Sequence, residues 1–81
     1  MNKTDLFKYK TVRCANMRSF LVGRVPSDVA SRFCAALDSK FDKDPSEEDF
    51  KNWMKDLSYK GSGTCSPRDA QTVWKAINET K

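Results

Sequence analysis

Histidine is absent from the 81-residue chain. Its absence removes imidazole acid–base chemistry and histidine metal ligands. Long apolar runs are missing too, none approaching the roughly 18 residues of a membrane helix. The start, Met1-Asn2-Lys3-Thr4-Asp5, leads into alternating charged and apolar residues, so neither a membrane span nor a secretory signal is expected. Cysteine is sparse and odd in number: Cys14, Cys34 and Cys65 are widely spaced, with no Cys-x-x-Cys pair. That usage suits a reducing cytoplasm better than a disulfide framework, while leaving a Cys14–Cys34 bridge open.

Branched aliphatic and phenylalanine side chains are scarce. Leu, Ile, Val and Phe number 4, 1, 5 and 5, just under the share at which disorder becomes a concern. Disorder also needs high net charge and few aromatics. Here 15 Lys and Arg face 11 Asp and Glu for a net +4, and nine residues are Phe, Trp or Tyr. The composition therefore predicts one folded domain, residues 1–81, with a small core rich in aromatics.

Charge is segregated along the chain. Residues 1–24 carry +5, residues 25–50 carry −4 and residues 51–81 carry +3. This layout bears on partners more than the total does.

The first block, residues 1–25, reads as β. Lys8–Cys14 and Met17–Val25 are rich in β-branched and aromatic residues. Alternation puts Met17, Leu21 and Val25 on one face with Ser19 and Gly23, and Arg18, Phe20, Val22 and Arg24 on the other. Ala15-Asn16 would turn the hairpin, and Asp5-Leu6-Phe7 could extend it. Three helices are expected after it, at 26–43, 46–60 and 66–79. Ser27 is placed as the cap of the first, with Val29, Phe33, Leu37 and Phe41 at four-residue spacing and Asp44-Pro45 as its end. Ser46-Glu47-Glu48-Asp49 resembles a capping box opening the second, whose stripe is Phe50, Trp53, Met54 and Leu57, closed by Gly61. Ser66-Pro67 opens the third, with Ala70, Val73, Trp74 and Ile77 on one face. The expected fold class is α+β, a small N-terminal β-hairpin packed against three short α-helices.

Tests for chemistry come back negative. No cysteine pair has zinc-ligand spacing. An EF-hand loop begun at Asp42 would put Glu47 where glycine is required and Trp53 where a bidentate glutamate is required. Cys65 lies beside a helix start, which can depress a thiol pKa, but no histidine is there to act as base, and an incidental surface thiol is the preferred reading. Cys34, within an apolar stripe, reads as core. Ser58-Tyr59-Lys60 sits at a helix end, where Lys60 complements the dipole. Gly61-Ser62-Gly63 lacks the Gly-Lys-Ser/Thr of a phosphate loop. No catalytic residue, metal or cofactor is expected, and the chain reads as a non-enzyme.

The basic block carries the functional lead. Lys8, Lys10, Arg13, Arg18 and Arg24 suit phosphate contacts, with Tyr9 and Phe20 as stacking residues and Arg68 as an outlying contact at a helix start. The competing reading is a solvated sheet face with Tyr9 and Phe20 buried. A nucleic acid or nucleoprotein complex is the expected partner. The alternative is a protein-binding inhibitor or adaptor, of the kind found among phage and mobile-element accessory proteins, docking through the acidic stretch Asp42 to Asp49 or the basic face. A monomer or homodimer is compatible with either.

Two short likenesses to known families are present. Phe50-x-x-Trp53-Met54-x-x-Leu57, with Gly61 and Ser66-Pro67 after it, resembles the helical core-binding module of tyrosine recombinases, whose catalytic domain has no counterpart in this sequence. Ser66-Pro67-Arg68-Asp69-Ala70-Gln71 with Val73 is similar to the second-helix opening of HU-type DNA-binding proteins, in which the β-arms follow the helices instead of preceding them. Both rest on capping and helix periodicity, and neither lends a functional residue.

Overall fold

Residues 14, 17 and 21 are spaced by three and four, so a helix through them aligns Cys14, Met17 and Leu21 on one face. In the computed structural model, which describes residues 10–43 and 45–79, that helix is present: α1 runs Lys10–Leu21. Met17 and Leu21 are fully buried, Phe20 nearly so, and Cys14 packs against the same cluster. The expected hairpin is therefore wrong over the described residues, which contain no strand. Its proposed extension at 5–7 lies outside them. The error has a definite cause. A spacing of four, as in Met17 to Leu21, satisfies both the strand period of two and the helix period of 3.6, while Cys14 to Met17 satisfies only the helix. Burial of Phe20 on the same side as Leu21 is likewise incompatible with alternation.

Gly23 ends this segment at φ +78°, a conformation in which glycine carries no Cβ penalty. The Arg24 and Val25 amides both close onto the Leu21 carbonyl, at 2.9 and 3.1 Å. α2 follows as Ser27–Lys40, α3 as Glu47–Lys60 and α4 as Pro67–Asn78. Over the described residues the fold is all-α, not the α+β arrangement expected from sequence.

The helix starts differ in how they are closed. Pro26, not Ser27, occupies the N-cap of α2, and no side chain caps it. α2 stops at Lys40, where the Phe41 amide bonds the Leu37 carbonyl at 3.2 Å, earlier than the Asp44-Pro45 stop. The starts of α3 and α4 have side-chain caps: Ser46 accepts from the Asp49 amide at 3.1 Å and Ser66 from the Asp69 amide at 3.2 Å. Each satisfies an amide left without an intrahelical partner. Gly61 terminates α3 at φ +72°, its amide 2.8 Å from the Leu57 carbonyl. Paired bonds between Ser62 and Cys65, at 2.8 and 2.9 Å, then make the tight turn into α4.

Packing follows from the apolar stripes. α1 lies on α2, α2 on α4 and α3 on α4. Aromatic rings bring α3 against α2: Trp53 has Phe33, Phe41 and Phe50 around it, at centroid distances of 5.6, 5.5 and 5.9 Å. These tilted and edge-on geometries suit the ring quadrupoles. Large rings thus compensate for the shortage of aliphatic side chains. None of the described helices is long and apolar enough to cross a membrane.

Candidate nucleic-acid interface

From Leu6 to Ser27 the chain has five cations and no carboxylate. Lys10 is the first residue of α1, Arg13 lies one turn on, and Arg18 is in its last turn. Arg18 is exposed at the helix end where the dipole favours a cation. Arg24, in the α1–α2 connection, is also exposed. Its guanidinium carbon sits 4.6 Å from the Phe20 ring centroid, and its Nη1 donates to the Phe20 carbonyl. Lys8 and Tyr9, named from the sequence, lie outside the described residues.

Phe20 takes a different role from the stacking one expected of it. It is 4% exposed, with Arg24 over its ring and its body in the core. No face remains on which a base could stack. The sequence reading paired Phe20 with Arg18 on one strand face. On a helix the two are two residues apart and point to different sides.

Arg68 is exposed in the first turn of α4. The same turn holds Asp69, whose carboxylate already complements the helix N-terminus. Arg32, on α2, binds Asp69 with Nε to Oδ2 at 2.6 Å and also reaches Asp28 at 3.2 Å. The Arg32 hydrogen bond holds the Asp69 carboxyl below the usual carboxylate range, against the opposing effect of its burial. An anion placed at this helix start would meet that carboxylate. Arg68 thus stands beside an ion pair and apart from the cation run of α1 in sequence. Sequence reasoning missed Arg32. The four-residue spacing of Asp28 and Arg32 was a readable signal; the partnership with Asp69 across 37 positions was not.

The other candidates are quiet. Cys65 is buried, 2% exposed, so it is not the surface thiol expected. Burial pushes its pKa up to about 11, with Asp69 adding to the rise and Arg32 opposing it. Burial likewise lifts Cys34 to about 11; Cys14 reinforces this and the Arg18 guanidinium works against it. Both thiols stay protonated near neutrality. Tyr59 is 81% exposed, while the Lys60 ammonium reaches Asp56 at 3.7 Å. An open depression on α3 is lined by Glu47, Glu48, Lys51, Asn52 and Lys55, with Glu47 and Lys51 paired at 3.3 Å. Its alternating charges are those of a solvated helix face. Among the described residues no three His, Cys, Asp or Glu side chains gather as a metal site.

No family model, no curated protein and no solved structure matches the chain.

Proposed function

We propose that this chain is a small, non-enzymatic cytoplasmic module that binds nucleic acid through α1 and the connection after it. The observation that carries this reading is the exposure of Arg18 and Arg24 within a 22-residue stretch that holds five cations and no carboxylate. A helix bearing cations approaches a phosphate backbone without needing a pocket. Arg18 and Arg24 contact phosphates, with Lys8, Lys10 and Arg13 extending the contact toward the N-terminus. Phe20 supports Arg24 from beneath and does not touch the nucleic acid. Arg68, exposed in the first turn of α4, is an outlying contact made by its own side chain and not by the helix start, where the Asp69 carboxylate lies. With an electrostatic interface and no stacking ring on α1's described part, the module discriminates weakly among sequences.

Pull-down of the full chain from native lysate, with and without nuclease, tests this. Nucleic acid recovered with the protein, and its loss on nuclease treatment, supports the reading. A stoichiometric protein partner that survives nuclease, with no nucleic acid recovered, overturns it in favour of protein docking.

A further inference from the structure

The α1–α2 pair folds back on itself around the connection 22–26. Cys14 lies seven residues before the end of α1 at Leu21, and Cys34 seven residues after the start of α2 at Ser27. Two helical turns on either side of one connection bring them to the same level of the hairpin. Their contact is reciprocal. The Cys14 thiol donates to the Cys34 carbonyl at 3.0 Å, and the Cys34 thiol to the Cys14 carbonyl at 3.5 Å. Each sulfur thus sits against the backbone of the residue bearing the other, and both are reduced in this structure. A bond of about 2.05 Å requires the two sulfurs, each already within 3.5 Å of the other residue's carbonyl oxygen, to turn toward one another.

We propose that Cys14 and Cys34 are a redox pair that closes into a disulfide and locks α1 onto α2. The oxidant is a low-molecular-weight disulfide such as oxidised glutathione. Cys14, the more accessible of the two, loses its proton to solvent, and its thiolate attacks one sulfur of the oxidant, breaking the S–S bond. A mixed disulfide forms and one thiolate leaves. Cys34 then deprotonates and attacks the Cys14 sulfur, displacing the second thiolate. The two departing thiolates take up the two protons. In sum, two protein thiols are oxidised to one disulfide and the small disulfide is reduced to two thiols.

Three features shape how this pair behaves. Arg18, one turn after Cys14 on α1, is a cation that favours the Cys34 thiolate. Burial of Cys34 opposes that thiolate, so closure is slow. α1 is held to the domain chiefly through α2, so this one bond controls whether α1 can leave. Cys65, buried at the start of α4, takes no part. The proposal is independent of the nucleic-acid reading.

The test is to incubate the folded full chain with oxidised glutathione and map its peptides by mass spectrometry, alongside Cys14→Ser, Cys34→Ser and Cys65→Ser. The expected product has lost two hydrogens, links Cys14 to Cys34, and reverts with dithiothreitol. It forms equally in Cys65→Ser and in neither of the other two variants. The bridge closes a span of 20 residues and should raise Tm by on the order of 10 °C, with slower amide exchange in α1. The wild-type map decides the matter even if a variant fails to fold. Three free thiols after incubation, a stable glutathione adduct at Cys14, a bridge involving Cys65, or closure only in denaturant would each overturn the proposal.

Discussion

Arg32 on α2 grips the Asp69 carboxylate on α4 at two points, Nε to Oδ2 at 2.6 Å and Nη2 to Oδ1 at 3.4 Å. The same Asp69 gives its backbone amide to the Ser66 cap. One residue thus joins the start of α4 both to its own cap and to α2. The Asp69 side chain is 13% exposed, so water screens the pair less than it does the i,i+4 pairs on α3.

Asp69→Asn keeps the shape and removes the charge. Because the folded-state pKa is held below the unfolded value, mainly by the Arg32 hydrogen bond, the contribution is present above the unfolded value of about 3.9. It is lost as the pH falls through the lower folded value. The variant should therefore melt lower than wild type at neutral pH, and the difference should shrink on acidification below about pH 4. Thermal melts followed by circular dichroism across that range check this. A constant difference at every pH would remove the ion pair as its cause.

Gly61 has no room for a side chain. A Cβ there would stand 2.8 Å from Pro67 Cδ and 2.9 Å from the Cys65 carbonyl oxygen, at a φ of +72°. At Gly23, φ is also positive but nothing lies within 4 Å of a Cβ. Gly23→Ala should cost about 1 kcal/mol from backbone strain alone, and Gly61→Ala about 2–3 kcal/mol with the added clash. Urea unfolding midpoints of the two variants measure the gap between them.

The core tolerates little loss of volume. Phe33 is fully buried and lies 5.6 Å from Trp53. Phe33→Ala should cost about 3–5 kcal/mol, against a total of about 4–12 kcal/mol for a domain of this length. Tryptophan emission at equilibrium should show a large unfolded fraction in mild urea.

The two serine caps act on separate helices. Ser46→Ala and Ser66→Ala should each cost about 1 kcal/mol, and the double variant close to the sum, since the caps share no partner. Denaturant titrations of the three variants test the addition.

Legibility in the sequence tracked local chemistry. Ser46 and Ser66 were readable as caps because a cap needs only the residues within one turn of it. The Phe50, Trp53, Met54 and Leu57 stripe was readable for the same reason, since period alone assigns its face. The α1 segment reads as strand from sequence because Met17, Leu21 and Val25 satisfy two periods at once and its β-branched and aromatic residues favour a strand. What distinguishes the two readings is Cys14 joining Met17 and Leu21, and that is visible only when the two candidate strands are read as one segment. The site shows the same difference: alternation puts Phe20 on a strand face with Arg18, whereas on the helix it is core. The Arg32–Asp69 bond was illegible because no local rule links α2 to α4. The run of cations without a carboxylate was plain throughout, and it is unaffected by whether the segment is strand or helix.

The salt dependence of nucleic-acid binding bears most directly on the proposed role of α1. Fluorescence anisotropy of the full chain with labelled single- and double-stranded DNA and RNA, between about 50 and 200 mM salt, gives the slope of log K against log salt concentration. Each phosphate neutralised contributes roughly −0.7 on single strands and −0.9 on duplex DNA. Replacing Arg18 and Arg24 together by alanine should weaken binding at every salt concentration and make the slope shallower by about 1.4 to 1.8. Absence of binding at low salt, or an unchanged slope in the double variant, would contradict the account.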